Sequence, residues 1–201
     1  PSLAEYLGNL SHIDHQVGRL MGALDRLGVG DDTFAVYTSD NGPIAPGSTG
    51  GLRGGKGTLW EGGIRMPGIF RWPRSIKPGQ VCDTPAGAID LLPTICAISG
   101  APLPEGRALD GTNIAPLFDG GTIERSTPLF WRRIGGDAAL RDGDWKLHGF
   151  PGSRLPSQST IDFIAEAQLV RFELHNLRDD PAETTNLAEA EKARTEQMAN
   201  A

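Results

Sequence analysis

The chain has 201 residues, of which 38% are hydrophobic and 22% charged, and its formal net charge at pH 7 is −6. This composition predicts a globular protein that buries roughly two thirds of its unfolded surface, and the negative charge argues against nucleic acid as a partner, because phosphate backbones bind clustered lysines and arginines. No apolar run approaches the ~20 residues that a membrane span needs.

The N-terminal region predicts a helix followed by a strand. Apolar residues recur at three- and four-residue steps over residues 3–27, the period of a helix that buries one stripe, and Gly28 supplies a stop. Because this pattern starts directly after Pro1, we expect the sequence to begin inside a longer protein, so that the lack of a visible signal peptide carries no information. Residues 33–38 are apolar and β-branched without alternation, as in a strand covered on both faces of a parallel sheet. Helix and buried strand together indicate an α/β fold.

A glycine-rich stretch follows, over residues 39–63, and it is too long for a plain connection, so we predict a functional loop. A second strand is predicted over residues 68–72, and a helix over residues 85–99 with Thr84 as its N-cap. A doubly covered parallel strand needs several neighbours, whereas this half offers two strands. We therefore expect the sheet to be incomplete in this chain.

The C-terminal part predicts a small antiparallel sheet followed by a polar helix. Turn signals, among them Asp142-Gly143, separate its short apolar runs, which cover residues 128–133, 138–141, 144–148 and 171–177. From Leu187 onward the sequence is helical. We place the domain boundary between residues 1–121, the main α/β part, and residues 122–201, the C-terminal subdomain.

Candidate metal chemistry lies in Ser39-Asp40-Asn41-Gly42, directly after the first predicted strand. Open α/β sheets place their ligands at this end of a strand. The carboxylate of Asp40 and the amide oxygen of Asn41 are hard donors that suit a cation such as Ca²⁺. By sequence chemistry alone, a plain Asp-Asn-Gly turn is the favoured interpretation of the same residues.

A second candidate is Lys56, which lies in the glycine cluster of residues 50–58. Glycines let backbone amides approach an anion and the lysine adds a compact positive charge, so a tetrahedral oxyanion fits; a mobile loop with a solvated lysine is the alternative. A nucleotide-binding P-loop is disfavoured, because Gly57 stands where Ser or Thr should hold magnesium. The segment also neither follows its strand closely nor opens a helix, since residues 61–67 break any helix.

These motifs, in this order and spacing, resemble the second half of the sulfatase pattern in the alkaline phosphatase superfamily, of the arylsulfatase and N-acetylgalactosamine-6-sulfatase kind. The segments that match are Ser39-Asp40-Asn41-Gly42, Gly54-Gly55-Lys56-Gly57-Thr58, Glu61-Gly62-Gly63-Ile64-Arg65-Met66-Pro67, Arg71-Trp72-Pro73, Asp90-Leu91-Leu92-Pro93-Thr94, Asp110-Gly111, Trp145-Lys146-Leu147 and residues 180–187. The resemblance implies an alkaline phosphatase-like mixed sheet flanked by helices, incomplete here, and then a small antiparallel sheet with a C-terminal helix.

The resemblance also implies site residues. Asp40 and Asn41 correspond to two calcium ligands of the family, and Lys56 to a lysine that contacts the substrate sulfate and its leaving oxygen. A divalent cation and a lysine beside a sulfate ester stabilise the negative charge that develops as the bond breaks. Arg65 either binds the substrate anion or pairs with Glu61 and holds the loop.

The family's nucleophile is missing from this sequence. Sulfatases use a formylglycine made from Cys or Ser in a Cys/Ser-x-Pro/Ala-x-Arg motif, and neither Cys82 nor Cys96 begins such a motif. Ser126-Thr127-Pro128 has Phe130 where the arginine belongs. The family's N-terminal aspartate pair, which would complete the calcium shell, is also absent. We expect the 201 residues alone to bind calcium weakly and to hydrolyse nothing.

The leading hypothesis is therefore a calcium-dependent sulfuric ester hydrolase that acts on a sulfated small molecule or a sulfated carbohydrate. A phosphodiesterase or phosphonate monoester hydrolase of the same superfamily shares the scaffold and the oxyanion site. A non-catalytic, sulfatase-like binding protein is the third reading. The resemblance implies a periplasmic, extracellular or lysosomal location.

Overall fold

The computed structural model describes residues 2–154 and 157–201. Its helices are α1 (Leu3–Arg26), α2 (Glu61–Ile64), α3 (Leu91–Ser99), α4 (Thr160–Glu166) and α5 (Lys192–Ala199), and its strands are β1 (Ala35–Thr38), β2 (Gly68–Arg71), β3 (Leu129–Arg132), β4 (Ala138–Asp142), β5 (Trp145–Pro151) and β6 (Leu169–Asn176). None of the helices in the described residues is both long and apolar enough to cross a membrane.

The chain divides into two compact units. The first unit comprises the residues up to Asp40, residues 45–47 and residues 66–127; the second comprises residues 41–44, 48–65 and 128–201. Most of the glycine-rich loop thus belongs to the same unit as the C-terminal sheet. The domain boundary at residue 121 stays a prediction.

Helix α1 confirms the helix predicted at the N-terminus. It starts with a capping box, in which the Ser2 hydroxyl accepts a hydrogen bond from the Glu5 amide at 3.3 Å and the Ser2 amide donates to the Glu5 carboxylate at 2.7 Å. Gly28 adopts a φ of +70° just beyond the end of the helix, as a glycine stop should. None of the described helix residues is fully buried, contrary to the sequence-based expectation: Val17, Met21 and Leu24 are half-buried, and the other apolar residues of the stripe are exposed.

Strands β1 and β2 pair antiparallel, with Ala35 opposite Arg71 and Thr38 opposite Gly68. The expectation of a fully covered strand in a parallel sheet is wrong for this pair, since Tyr37 and Ile69 are 43% and 59% exposed. An apolar run without alternation does not encode the direction of its partner strand, which the intervening loop decides. The described residues of the first unit form this single pair.

An aromatic cluster lies beside this pair. Phe34 stacks on Phe70 with ring centroids 6.0 Å apart, and Phe118 contacts both rings at 5.5 and 5.7 Å. Trp72 meets Phe34 edge-on at 5.9 Å. The residues next to β1 and β2 therefore supply much of the first unit's aromatic packing.

Helix α3 starts later than the sequence predicts. A short 3₁₀ turn over Ala88–Asp90 precedes it, and Gly100 ends it with a φ of +72°. Asp90 is fully buried, and its carboxylate accepts from the Gly87 and Thr112 amides at 2.7 Å each and pairs with Arg125 at 2.6 Å. The predicted start at Thr84 is wrong because this buried carboxylate, not a Thr84 cap, organises the chain there.

The second unit contains the predicted antiparallel sheet, with strand order β3-β4-β5-β6. Asp142 pairs with Trp145, and Gly143 between them has a φ of +56°, which confirms the tight turn. Leu147 and Leu174 pack with Ala188 and Met198 beneath the sheet. Helix α5 begins at Lys192 rather than near Leu187 and closes this core.

Candidate functional site

The Asp40-Asn41 motif follows β1 directly, as the sequence predicts. Asp40 is exposed and Asn41 is half-buried. Behind them, the Gly42 amide donates to the Gly63 carbonyl oxygen at 2.8 Å, and a Cβ on Gly42 would clash with the carbonyl oxygen of Gly62. Glycine at position 42 therefore lets the chain after Asn41 pack closely on α2.

Lys56 occupies a tight turn next to this segment. Its amide donates to the Pro43 carbonyl oxygen at 2.9 Å, which brings the lysine backbone against the chain that continues from Asn41. Thr58 closes the turn, since its amide and its hydroxyl both donate to the Gly55 carbonyl oxygen, at 3.1 and 2.8 Å. The Lys56 side chain is exposed. The glycine-rich loop thus has a defined fold around its lysine.

Helix α2 is a single turn that the sequence does not predict, because the glycines and proline of residues 61–67 were expected to break any helix. The Glu61 amide, at the start of the turn, donates to the Glu183 carboxylate at 2.6 Å. A carboxylate at a helix N-terminus satisfies an amide that has no partner within the helix and interacts favourably with the helix dipole. A residue 122 positions away in sequence therefore supports this turn.

A buried ionic cluster joins α2 to the C-terminal sheet. The Lys146 ammonium is 3.0 Å from Glu61 Oε1 and 2.9 Å from Glu183 Oε1, and all three side chains are at most 2% exposed. Arg141 adds a second positive charge 3.6 Å from Glu61 Oε2. The cluster thus contains two carboxylates and two cations, which keeps its net charge near zero. Glu183 adopts a φ of +55°, an uncommon conformation for a residue with a side chain.

Sequence reasoning placed Lys146 and Glu183 in family-like segments but missed their contact with the loop. Their partners lie 85 and 122 positions away, and no periodicity connects residues at such distances. The usable signal is chemical: Lys146 lies between Trp145 and Leu147 in an apolar strand, and a lysine there needs carboxylate partners.

Arg65 directly follows α2, four residues after Glu61. Its guanidinium is 3.9 Å from Glu61 Oε2 and its side chain is 54% exposed. Because the guanidinium is half exposed and lies 3.9 Å away, this pair adds little to the stability of the buried cluster. The substrate-binding role of Arg65 stays a prediction, and so do the roles of Asp40, Asn41 and Lys56.

Trp60 packs between charged and aromatic neighbours in the second unit. The Arg53 guanidinium lies 3.5 Å from the Trp60 ring centroid, and the His148 ring meets it edge-on at 4.3 Å. Burial lowers the pKa of His148 to about 4, helped by the nearby Lys146 charge and opposed by the hydrogen bond with Asp137. His148 is therefore neutral near pH 7 and serves packing rather than charge.

Residues 2–154 and 157–201 include histidines, cysteines and carboxylates that could each contribute a metal ligand. That part of the chain contains no group of three or more His, Cys, Asp or Glu side chains placed to hold a metal ion. His12 and His15 lie on the exposed face of α1, where His12 contacts Gln16 at 3.3 Å. The oxygens of Asp40 and Asn41 are suitable donors for calcium, but two residues supply fewer than the six to eight oxygens it prefers.

Comparison with known proteins gives consistent results. The family model for sulfatases matches residues 1–101. Human arylsulfatase A is 38% identical over 194 residues, covering 89% of this chain and 38% of the relative, and human steryl-sulfatase is 43% identical over 121 residues, covering 55% and 21%. This chain therefore spans well under half the length of the curated relatives that it matches.

Solved structures share the fold. The PsFucS1 sulfatase from Pseudoalteromonas sp. superposes with a TM-score of 0.72 and 28% identity, covering 94% of this chain and 40% of the other. The phosphonate monoester hydrolase of Agrobacterium radiobacter superposes with a TM-score of 0.68 and 26% identity, covering 97% and 39%. The architecture described above is thus that of the alkaline phosphatase-like fold.

Proposed function

Because the chain belongs to the sulfatase family, we propose that the protein is a sulfuric ester hydrolase in which Lys56 contacts the substrate sulfate. The observation that carries this proposal is the bond from the Lys56 amide to Pro43, which holds an exposed lysine beside the segment that continues the Asp40-Asn41 motif. A lysine that can bind an anion, held beside the segment that begins with Asn41, is a suitable arrangement for a sulfate ester. The substrate class is a sulfated small molecule or a sulfated carbohydrate.

The proposed role of Lys56 is electrostatic. When the ester bond breaks, negative charge moves to the leaving oxygen, and an ammonium held in place stabilises that charge without reorganising. The turn closed by Thr58 restricts the lysine backbone before substrate arrives. Arg65 is a second candidate for the anion, although its position near Glu61 also suits a role in holding the loop.

Calcium and formylglycine belong to the same proposal. Asp40 and Asn41 would hold the calcium through one carboxylate and one amide oxygen, with further ligands outside these 201 residues. When bound, the cation withdraws charge from the sulfate oxygens. We propose that the formylglycine nucleophile also lies outside these residues, so that the chain alone is inactive. Residues 1–121 would then form the C-terminal part of the catalytic domain and residues 122–201 its subdomain, in an exported protein.

The proposal is tested by turnover of an aryl sulfate with the full-length protein and two matched variants. Lys56→Ala should lower kcat by about 100- to 1,000-fold, the usual effect of removing a group that stabilises transition-state charge. Lys77→Ala removes another exposed lysine, one that lies in the first unit, and should leave kcat unchanged. Equal activity of the two variants would rule out the role assigned to Lys56.

A phosphonate monoester hydrolase is the second candidate, and the structural likeness to the Agrobacterium enzyme favours it. Both activities use a tetrahedral oxyanion site, so the scaffold does not separate them. Metal preference does: calcium should support sulfate ester hydrolysis, whereas manganese or zinc is expected for the phosphonate reaction. A non-catalytic binding protein would hydrolyse neither ester with any of these metals.

A further inference from the structure

Arg133 contacts the loop that carries Lys56. It follows β3, and its guanidinium Nη1 donates to the Gly57 carbonyl oxygen at 2.9 Å, one residue after Lys56. Both residues belong to the second unit. The C-terminal sheet thus reaches the proposed sulfate-binding lysine through a single charged hydrogen bond.

Hydrogen bonds with Asp137 fix the orientation of the Arg133 side chain. Its Nε donates to Asp137 Oδ1 at 2.8 Å, and its amide donates to the Asp137 carbonyl oxygen at 2.9 Å. Asp137 is buried, and its second carboxylate oxygen lies 3.4 Å from Nε2 of the buried His148 on β5. A guanidinium fixed at Nε by a buried carboxylate presents Nη1 in one direction, so the contact with Gly57 is preorganised.

The loop needs such a contact because glycines flank the lysine. Gly54 and Gly57 adopt φ values of +81° and +85°, and Gly55 directly precedes Lys56. Glycine restricts the backbone less than any other residue, so the orientation of the lysine depends on hydrogen bonds such as those of Thr58 and Arg133. A hydrogen bond to the Gly57 carbonyl restrains the peptide plane between Gly57 and Thr58, one residue beyond the lysine.

The other end of the same segment is held separately. The Glu183 carboxylate accepts from the Glu61 amide at 2.6 Å, and Lys146 neutralises that carboxylate. The stretch from Gly57 to Glu61 is therefore restrained at both ends by side chains of the C-terminal part. Arg133 restrains the end nearer Lys56. Because its side chain is 45% exposed, replacing Arg133 should damage the core less than replacing Glu183 or Lys146.

We propose that Arg133 is a positioning residue for Lys56. By fixing the Gly57 carbonyl, it holds the lysine ammonium where it neutralises the leaving oxygen; the catalytic part of this inference rests on the proposed function. Misplacing a catalytic group by about 1 Å costs roughly 100-fold in rate. Loss of Arg133 should therefore resemble a partial loss of Lys56.

The chain offers a matched control in Arg132. This neighbouring arginine is also exposed and also donates to backbone carbonyls, but its acceptors are Ile164 and Ala167, at 2.6 and 3.4 Å, near α4. Arg132→Gln and Arg133→Gln are thus the same chemical change at adjacent positions, and Arg133→Gln alone breaks the contact with the Lys56 loop.

The first readout is amide hydrogen exchange of the full-length protein. In Arg133→Gln, the Lys56 and Thr58 amides should exchange about tenfold faster than in the wild type, because a charged hydrogen bond that restrains their turn is lost. Arg132→Gln should leave these amides unchanged. Equal protection of the loop in both variants would overturn the proposal, whatever the enzyme's activity.

The second readout is the dependence of kcat on the leaving group, measured with aryl sulfates of graded phenol pKa. Arg133→Gln should slow the poorest leaving group about 10- to 100-fold and the best one least, with little change in KM, because poor leaving groups depend most on Lys56. Adding Arg133→Gln to Lys56→Ala should cause no further loss. A uniform loss of kcat across all leaving groups would overturn the positioning role. A wild-type protein that hydrolyses no sulfate ester would instead overturn the proposed function. In that case the hydrogen-exchange result alone would decide whether Arg133 holds the loop.

Discussion

Replacing Lys146 by Met should strongly destabilise the second unit. The Lys146 ammonium is fully buried and lies 3.0 and 2.9 Å from the carboxylates of Glu61 and Glu183, which are themselves at most 2% exposed. Lys146→Met leaves these two negative charges close together with Arg141, 3.6 Å from Glu61, as their remaining buried partner. Removing one partner of a buried ion pair costs about 3–5 kcal/mol, so we expect a loss in this range near pH 7.

A double variant distinguishes loss of charge compensation from loss of packing. Arg141 compensates one of the two carboxylates in Lys146→Met, and adding Glu183→Gln removes the other charge while the glutamine oxygen can still accept from the Glu61 amide. The double variant should therefore be more stable than Lys146→Met alone, which is the opposite of additive damage. A simple loss of packing would instead make the double variant the less stable of the two.

Urea unfolding followed by tryptophan fluorescence suits this test, because Trp60, Trp131 and Trp145 lie in the second unit and Trp72 in the first. Lys192→Met, an exposed lysine at the start of α5, is the control and should change the free energy of unfolding by less than about 0.5 kcal/mol. The account of the cluster is refuted if Lys146→Met unfolds at the same urea concentration as this control.

Two further predictions concern pH and close packing. Burial lowers the pKa of His148 to about 4, so the side chain takes up a proton on unfolding between about pH 4 and its ordinary pKa near 6.5. The free energy of unfolding should therefore fall by up to about 3 kcal/mol as the pH drops through this window. His148→Phe should remove that part of the pH dependence, as measured by urea titrations. Gly42→Ala should destabilise the second unit by about 1–3 kcal/mol, because its Cβ would meet the Gly62 carbonyl oxygen. The control is Gly18→Ala, whose new Cβ meets open space on α1 and should stabilise that helix by about 0.5–1 kcal/mol. If thermal unfolding finds Gly42→Ala more stable than Gly18→Ala, the close approach at Gly42 is unimportant.

Local signals predicted the elements that depend on local causes. The stop at Gly28 and the Asp142-Gly143 turn follow from backbone preferences of the residues that occupy them, and the structure shows both. The four runs of the C-terminal sheet were likewise readable, because each is a short apolar segment bounded by turn residues. Chemistry and spacing also drew attention to Asp40, Asn41 and Lys56, whose roles stay predictions.

Features that depend on distant partners were missed or mistaken. The loop path decides the direction of β2 relative to β1. The buried Asp90 decides where α3 starts, and the Glu183 carboxylate supports the single turn of α2. Glu183 lies 122 positions from α2, and Asp90, although it directly precedes α3, is bound by Thr112 and Arg125, which lie 22 and 35 positions away. The contact between Arg133 and Gly57, 76 positions apart, is invisible for the same reason.

The most direct test of the central claim is a comparison of kcat/KM for an aryl sulfate and for the matching aryl phosphonate monoester, measured on the full-length protein with calcium and then with manganese. The account predicts that the sulfate ester is the preferred substrate with calcium present and that Lys56→Ala abolishes most of this activity. Preference for the phosphonate ester with manganese, and little sulfate turnover with calcium, would contradict it and assign the protein to the second candidate function.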